Sequence, residues 1–132
     1  MNKPLASSRL VGLRLLVVED EWMVAEHIVM LLEDFGCVVA GPVATIAEAL
    51  AIVADHALDG VLLDANLNGE SSAPIAAALH ARATPFVVVT GSGRLGLPTD
   101  VMNGAPRLAK PFSTADLEKT LIAAFLASPH AD

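Results

Sequence analysis

The sequence predicts a single α/β domain in which a five-stranded parallel sheet carries helices on both faces. Short apolar runs rich in Val and Leu alternate along the chain with segments whose apolar residues recur at helical spacing. The apolar runs do not alternate with polar residues, which is typical of strands buried on both faces of a parallel sheet. Five strand–helix pairs joined by right-handed crossovers produce a doubly wound sheet.

The predicted strands are short. They cover residues 15–18, 37–40, 60–63, 86–89 and 107–109. The second strand is expected to end at the Gly41-Pro42 pair, because glycine and proline together are typical of turns.

Residues that start or stop helices lie between these strands. Apolar residues from Val24 to Phe35 recur at helical spacing and predict the first helix. Glu21, just before it, is interpreted as an acid favoured by the helix dipole. A further short helix is predicted around residues 99–103. The boundary residues are Gly36 after the first helix, the capping-box pair Thr45 and Glu48 at the second, Pro74 at the third and Ser113 at the last.

Composition indicates one folded domain and argues against two classes of partner. Of the 132 residues, 54% are hydrophobic and 17% are charged, which is enough apolar material for a core. We expect residues 1–10 to form a flexible tail and residues 11–128 to form the domain. The formal net charge of −7 argues against nonspecific binding of nucleic acid or of an anionic membrane, so neither is predicted as a partner.

The single cysteine and the hydropathy pattern indicate a compartment. Cys37 lies alone in an apolar run, so no intramolecular disulfide can form. A lone thiol of this kind fits a reducing environment, and we predict a cytoplasmic protein. No apolar run reaches the roughly 18 residues of a membrane-spanning helix. The N-terminal residues also lack the apolar segment of a signal peptide.

Polar residues follow four of the predicted strands, at the end where ligands bind in α/β sheets. Glu19 and Asp20 follow the first strand, Asp64 the third, Thr90 the fourth and Lys110 the fifth. The carboxyl ends of parallel strands meet at one edge, so we expect these side chains to converge. Three carboxylates at one place repel one another unless a cation lies between them, and hard oxygen ligands suit Mg²⁺. The sequence therefore predicts a Mg²⁺ cofactor with a lysine charge and a hydroxyl donor beside it.

Four motifs at these strand ends together resemble one family. They are VVEDE at residues 17–21, LLDANLNG at 62–69, VVVTG at 87–91 and LAKPF at 108–112. On the basis of these motifs, the chain resembles the receiver domain of two-component response regulators from residue 13 to residue 126. The resemblance implies a flavodoxin-like sheet with the strand order 2-1-3-4-5.

The resemblance assigns a role to each acid at the sheet edge. Asp64 would be the phosphoacceptor, which attacks phosphorus to give an acyl phosphate. Glu19, Asp20 and Asp64 would hold Mg²⁺ together with the backbone carbonyl of Asn66. Asp20 is expected to ligate the metal directly and the longer Glu19 to act through water.

The resemblance also describes a switch. Lys110 would contact the phosphoryl group, aimed by a cis peptide bond to Pro111, and Thr90 would turn towards that group. Ordinary receivers carry an aromatic residue where this chain has Arg107, so the usual aromatic switch is missing. We expect the glycine-rich segment 91–104 to be mobile and to become ordered on phosphorylation.

Within the family, the chain resembles the receivers called FAT GUY. The shared features are Thr-Gly after the fourth strand, a Pro-x-x-x-Lys-Pro-Phe run and the missing aromatic residue. Such receivers are often stand-alone partners of HWE and related histidine kinases of alphaproteobacteria. The chain departs from the Phe-Ala-Thr-Gly-aromatic motif, since residues 88–92 are VVTGS. Asn68 also stands where many receivers have proline.

The leading hypothesis for function is a single-domain response regulator. It would accept a phosphoryl group on Asp64 from a histidine kinase, possess no enzymatic activity on other substrates, and act through an unknown downstream protein or as a phosphate sink. It would still contribute to its own phosphorylation and dephosphorylation. One alternative is a hydrolase with an aspartyl-phosphate intermediate, which usually has a second acid where this chain has Asn66. Another is a receiver-like interaction module that is never phosphorylated, against which the complete set of site residues argues.

Overall fold

The central sheet has the architecture that the sequence predicts. The computed structural model of the chain describes residues 8–91 and 104–126. Within them, five parallel strands form one sheet: β1 Arg14–Val18, β2 Val38–Val43, β3 Gly60–Asp64, β4 Phe86–Thr90 and β5 Arg107–Ala109. Their order in the sheet is β2-β1-β3-β4-β5, which confirms the doubly wound, flavodoxin-like fold class.

Helices cover both faces of the sheet. Those of the described residues are α1 Trp22–Asp34, α2 Ile46–Asp55, α3 Ala73–Ala81 and α4 Thr114–Phe125. α1 and α4 pack in one hydrophobic cluster with Leu15 and Val17, and α2 and α3 pack in a second cluster with Leu16 and Val18. Successive residues of a strand point to opposite faces. The continuous apolar run of β1 therefore contributes to both layers of the core.

The predicted starts of α2 and α4 are confirmed by side-chain caps. Thr45 Oγ1 accepts a hydrogen bond from the N–H of Glu48 at 3.1 Å, and Glu48 Oε1 accepts one from the N–H of Ala44 at 3.1 Å. Ser113 Oγ accepts one from the N–H of Asp116 at 3.0 Å. These bonds satisfy backbone donors that have no partner within the first helical turn.

β2 is longer than the sequence predicts. The prediction ends this strand at Ala40, whereas it continues to Val43 through a cis Gly41–Pro42 peptide bond. The register between β1 and β2 shifts at this point, which is a β-bulge. Gly41 has a φ of 83°, and a Cβ on it would lie 3.1 Å from the carbonyl oxygen of Val17. The glycine and proline therefore bend the strand instead of ending it.

The folded part also begins earlier than the sequence predicts. Ser8–Leu10 form a turn of 3-10 helix, and the Leu10 side chain is fully buried in the cluster that α1 and α4 share. The prediction of a flexible tail over residues 1–10 is therefore wrong for residues 8–10, because burial of this leucine stabilises the turn. Residues 1–7 and 127–132 lie outside the described part of the chain.

Two further predictions fall on residues that the structure does not describe. They are the short helix at residues 99–103 and the mobility of segment 91–104, of which residues 92–103 are outside the described ranges. Among the helices in those ranges, none has the length and apolar character needed to cross a membrane.

Candidate functional site

The sheet register brings the predicted site residues to one edge. Asp64 at the end of β3 pairs with Val89, and Thr90 at the end of β4 pairs with Ala109, the neighbour of Lys110. On the other side of β3, β1 ends directly before the acid pair that the sequence predicts to bind metal. Parallel strands in this register place all of these residues at the carboxyl edge of the sheet.

Three acids form a compact cluster at this edge. Glu19, Asp20 and Asp64 each offer a carboxylate oxygen, and the three oxygens lie within 4.8 Å of one another. Glu19 is 3% exposed and Asp64 is 7% exposed. Oxygen ligands at this separation fit a divalent cation such as Mg²⁺, whose charge offsets the repulsion between the carboxylates. The predicted side-chain ligands are thus brought together.

The carboxyl group of Asp64 is harder to ionise than an ordinary aspartate. Burial is the main cause that raises the pKa of Asp64 from 3.8 to about 7, and a hydrogen bond with Glu19 and the charge of Glu19 add to it. The N–H of Asn66, 3.2 Å from Asp64 Oδ1, and the charge of Lys110 act in the opposite direction. A cation within the cluster would favour the ionised carboxylate, which is the form that can act as a nucleophile.

Lys110 places a positive charge against these acids. Its Nζ lies 3.2 Å from Glu19 Oε1, 3.7 Å from Asp64 Oδ2 and 3.7 Å from Glu21 Oε1. Burial by itself lowers the pKa of Lys110, but the surrounding carboxylates raise it by more, so the net shift is upward. The ammonium group is therefore held in its charged form. The Lys110–Pro111 peptide bond is cis, as the sequence predicts.

A short β-hairpin lies beside the acid pair. Its strands, Asn66–Leu67 and Glu70–Ser71, are antiparallel. Asn68 and Gly69 form the two-residue loop, with φ values of 53° and 87°. Asn-Gly loops with positive φ at both positions are typical of type I′ turns. The N–H of Asn68 donates a hydrogen bond to Asp20 Oδ2 at 2.9 Å, so the hairpin contacts the acid cluster directly.

A family comparison accounts for this combination of fold and site. The sequence matches the family model of the response regulator receiver domain over residues 15–122, which is most of the chain. The chain belongs to this family. Receiver domains work in two-component signalling, where they interact with histidine kinases and downstream proteins. None of the curated proteins matches the chain.

Solved structures of receivers share the fold. The solution structure of SdrG from Sphingomonas melonis Fr1 is 38% identical with a TM-score of 0.76, and the match covers 89% of this chain and 98% of that one. The receiver domain of the sensor histidine kinase PA1611 from Pseudomonas aeruginosa PAO1 is 25% identical with a TM-score of 0.78, covering 89% and 100%. Its active-site cleft coordinates a magnesium ion. The response regulator PhyR from Brucella abortus is 29% identical with a TM-score of 0.77, covering 89% and 49%.

In this receiver, Thr90 lies beside the lysine, as its position in the sequence predicts. Thr90 is the buried last residue of β4, and its carbonyl oxygen accepts a hydrogen bond from the N–H of Lys110 at 2.8 Å. Gly91 follows it, and a Cβ on that glycine would lie 3.6 Å from Lys110 Cε. The switching role of the Thr90 hydroxyl and the metal-ligating role of the Asn66 carbonyl stay predictions.

Two residues of the receiver site are missed by the sequence interpretation. Glu21 does occupy the N-cap position of α1, but its side chain makes no capping bond and contacts Lys110 instead. Asn68 is predicted only as part of a turn, yet its N–H reaches Asp20. Two sequence features could have indicated these contacts. Glu21 is the third acid in a row, and Asn68 belongs to the Asn-Gly pair within the LLDANLNG motif.

An open groove reaches the outer side of the lysine. Its volume is about 530 Å³, and the residues that line it include Glu21, Met23, His27, Lys110 and Phe112. The rings of His27 and Phe112 are nearly parallel, with centroids 6.2 Å apart. The groove is therefore lined in part by the Glu21–Lys110 pair, which borders the acid cluster.

Proposed function

We propose that this receiver accepts a phosphoryl group on Asp64 from a histidine kinase in a Mg²⁺-dependent reaction. The observation that carries the proposal is the convergence of three carboxylates and a lysine at the carboxyl edge of the sheet. Phosphoryl transfer depends on positioning and charge neutralisation more than on covalent chemistry by the protein. The cluster supports both requirements, because Asp64 is one of its three carboxylates and the charge of Lys110 lies beside it.

Asp64 is the proposed nucleophile. One of its carboxylate oxygens forms a bond to phosphorus while the P–N bond of a phosphohistidine donor breaks. The electron pair of that bond leaves with the imidazole nitrogen, which takes up a proton. In the structure, Lys110 Nζ is closest to Glu19 and lies 3.7 Å from Asp64 Oδ2. It is therefore near enough to move onto the oxygens of the transferred phosphoryl group. The Thr90 hydroxyl is proposed to turn towards the same group.

Glu19, Asp20 and Asp64 would hold Mg²⁺, with the backbone carbonyl of Asn66 as a further ligand. Asp20 is proposed to ligate directly and Glu19 through water. Two observations support this set: the spacing of the three carboxylate oxygens, and the magnesium ion in the cleft of the similar PA1611 receiver domain. When bound, the ion supplies positive charge against the phosphoryl oxygens.

The phosphorylated chain is proposed to act through a partner protein or as a phosphate sink, and not as an enzyme on another substrate. The stand-alone role is proposed from the resemblance to FAT GUY receivers, which are often stand-alone proteins. The resemblance to FAT GUY receivers favours an HWE-type histidine kinase as the donor. The net charge of −7 favours a protein partner over nucleic acid or an anionic membrane. The unpaired, buried Cys37 supports a cytoplasmic location.

Phosphorylation by a small donor tests the proposal. We expect acetyl phosphate and Mg²⁺ to add one phosphoryl group to the wild type, seen as a mass increase. Hydroxylamine should release this group as phosphate and leave a hydroxamate on the aspartate, as it does with an acyl phosphate. Asp64→Asn should take up none, because an amide is not a carboxylate nucleophile. Asp55→Asn is a matched control that changes an exposed acid at the end of α2 and should be labelled like the wild type.

Two results would contradict the assignment. Labelling of Asp64→Asn at the wild-type stoichiometry would place the phosphoryl group on another residue. Steady release of phosphate from phosphate esters, lost in the same variant, would instead favour the hydrolase alternative. SdrG, which is 38% identical to this chain, has a solved structure of its BeF₃-activated conformation. This similarity supports the expectation that a phosphoryl group on Asp64 also activates this receiver.

A further inference from the structure

The hairpin that follows β3 holds one of the proposed metal ligands from outside the acid cluster. The N–H of Asn68 donates to Asp20 Oδ2 at 2.9 Å, although the two residues are 48 positions apart in the sequence. Asp20 is only partly buried, so its carboxylate could otherwise rotate towards solvent. The hydrogen bond restricts that rotation and keeps the Asp20 carboxylate at the acid cluster.

The local sequence explains why this N–H points at the acid. Asn66 Oδ1 accepts a hydrogen bond from the N–H of Gly69 at 2.9 Å, which closes the loop on itself. Asn68 has a φ of 53°, a conformation that asparagine adopts more readily than most residues. Proline at this position could neither adopt a positive φ nor donate a hydrogen bond. The contact with Asp20 is therefore specific to a non-proline residue here.

We propose that Asn68 is a positioning residue for metal binding, whose backbone N–H holds the Asp20 carboxylate in the orientation in which it would ligate Mg²⁺. The inference rests on the proposed function, because it concerns the same Mg²⁺ site, and it adds a residue outside the ligand set. Groups that hydrogen-bond to metal ligands orient them and reduce the entropy lost when the ion binds. The N–H also offsets part of the negative charge that the cluster concentrates.

Two substitutions separate the N–H from the asparagine side chain. Asn68→Pro removes the donor and the positive φ, whereas Asn68→Gly keeps both. Loss of a hydrogen-bond partner of a metal ligand typically lowers metal affinity about 10- to 100-fold. Since this loop is exposed, we expect about a 10-fold loss of Mg²⁺ affinity in Asn68→Pro and a change of less than about twofold in Asn68→Gly, measured by calorimetric titration with MgCl₂.

A second measurement uses the metal-free protein and needs no proline variant. The Asn68 amide should exchange slowly with solvent for a loop position, and Asp20→Ala should make its exchange fast while the amides of β3 stay protected. An Asn68 amide that exchanges equally fast in both proteins would overturn the contact. This exchange measurement still tests the contact if Asn68→Pro fails to fold.

The outcomes distinguish this inference from the proposed function. Equal Mg²⁺ affinities in the wild type and Asn68→Pro would overturn the positioning role alone. A loss of affinity in Asn68→Gly as large as in Asn68→Pro would also overturn it, because the N–H is present in the glycine variant. A wild type that binds no Mg²⁺ would overturn both proposals.

Discussion

Glu21 lies at the outer side of the site, where 66% of its side chain is exposed and its carboxylate is 3.7 Å from Lys110 Nζ. It contributes no capping bond to α1, so its clearest contact is with the lysine. In the proposed reaction Lys110 must move onto the phosphoryl oxygens. In that reaction Glu21 would compete with the incoming phosphoryl group for the ammonium and would repel an anionic donor.

We expect Glu21→Gln to accelerate phosphorylation by acetyl phosphate. The variant removes one negative charge at the groove and frees the lysine. An exposed ion pair contributes only about 0.2–1 kcal/mol, which corresponds to an acceleration of roughly 1.5- to fivefold. The rate of phosphoryl uptake, followed by intact mass at low ionic strength, measures the effect, and added salt should reduce it.

Glu26→Gln is the matched control for this prediction. Glu26 is an exposed acid of α1, five residues after Glu21. Among the described residues, the ion pairs of Lys110 are with Glu19, Glu21 and Asp64 and not with Glu26. The same gain in both variants would reveal a general effect of net charge. An unchanged rate in Glu21→Gln would contradict competition for the lysine.

Asp64 links the acid cluster to the pH dependence of stability. Its pKa is raised from 3.8 to about 7 in the fold, mainly by burial. Between these values the folded state holds a proton that the unfolded state releases, so the free energy of unfolding falls as pH rises. The destabilising contribution is absent below about pH 4 and complete above about pH 7.

We therefore expect Asp64→Asn to stabilise the metal-free protein more at pH 8 than at pH 4. The shift corresponds to roughly 4 kcal/mol at most, since one pKa unit is about 1.4 kcal/mol. Urea unfolding of both proteins in EDTA measures the difference, and Mg²⁺ should reduce it by stabilising the wild type. A stability difference that does not change between the two pH values would contradict the raised pKa.

At the scale of secondary-structure elements, α4 begins at Thr114, four residues after the lysine that the site uses. The intervening Pro111 and Phe112 lead from Lys110 to Ser113, whose Oγ caps the helix. The cap thus fixes one end of the segment that carries the ammonium. The capping bond joins residues only three positions apart, Ser113 and Asp116, so a short stretch of sequence is enough to predict this helix start correctly. The bulge of β2 depends on pairing with β1 and is not visible in a local pattern.

We expect Ser113→Ala to lower the free energy of unfolding by about 1 kcal/mol, because the N–H of Asp116 loses its acceptor. Ser113→Thr keeps a side-chain oxygen and should stay closer to the wild type. Chemical denaturation of the three proteins gives the comparison. If alanine proved as stable as serine, the capping bond would not contribute to the start of α4.

At the scale of the whole molecule, the sequence predicts most of the fold and the main site residues. Continuous apolar runs indicate strands buried on both faces, and the topology of such a sheet then brings the residues after each strand to one edge. The contacts of Glu21 and Asn68 are not predictable in this way. They depend on where single side chains and one loop amide point once α1, β5 and the hairpin are packed together.

Beryllofluoride binding tests the central claim most directly, that Asp64 in its acid cluster is a Mg²⁺-dependent phosphoacceptor. The reagent mimics a phosphoryl group on an aspartate oxygen. With Mg²⁺, the amide spectrum of the wild type should show tight binding, with shifts at Asp64, Thr90 and Lys110. Asp64→Asn, or the wild type in EDTA, should show none. An unchanged wild-type spectrum at saturating beryllofluoride and Mg²⁺, or the same shifts in Asp64→Asn, would contradict the account.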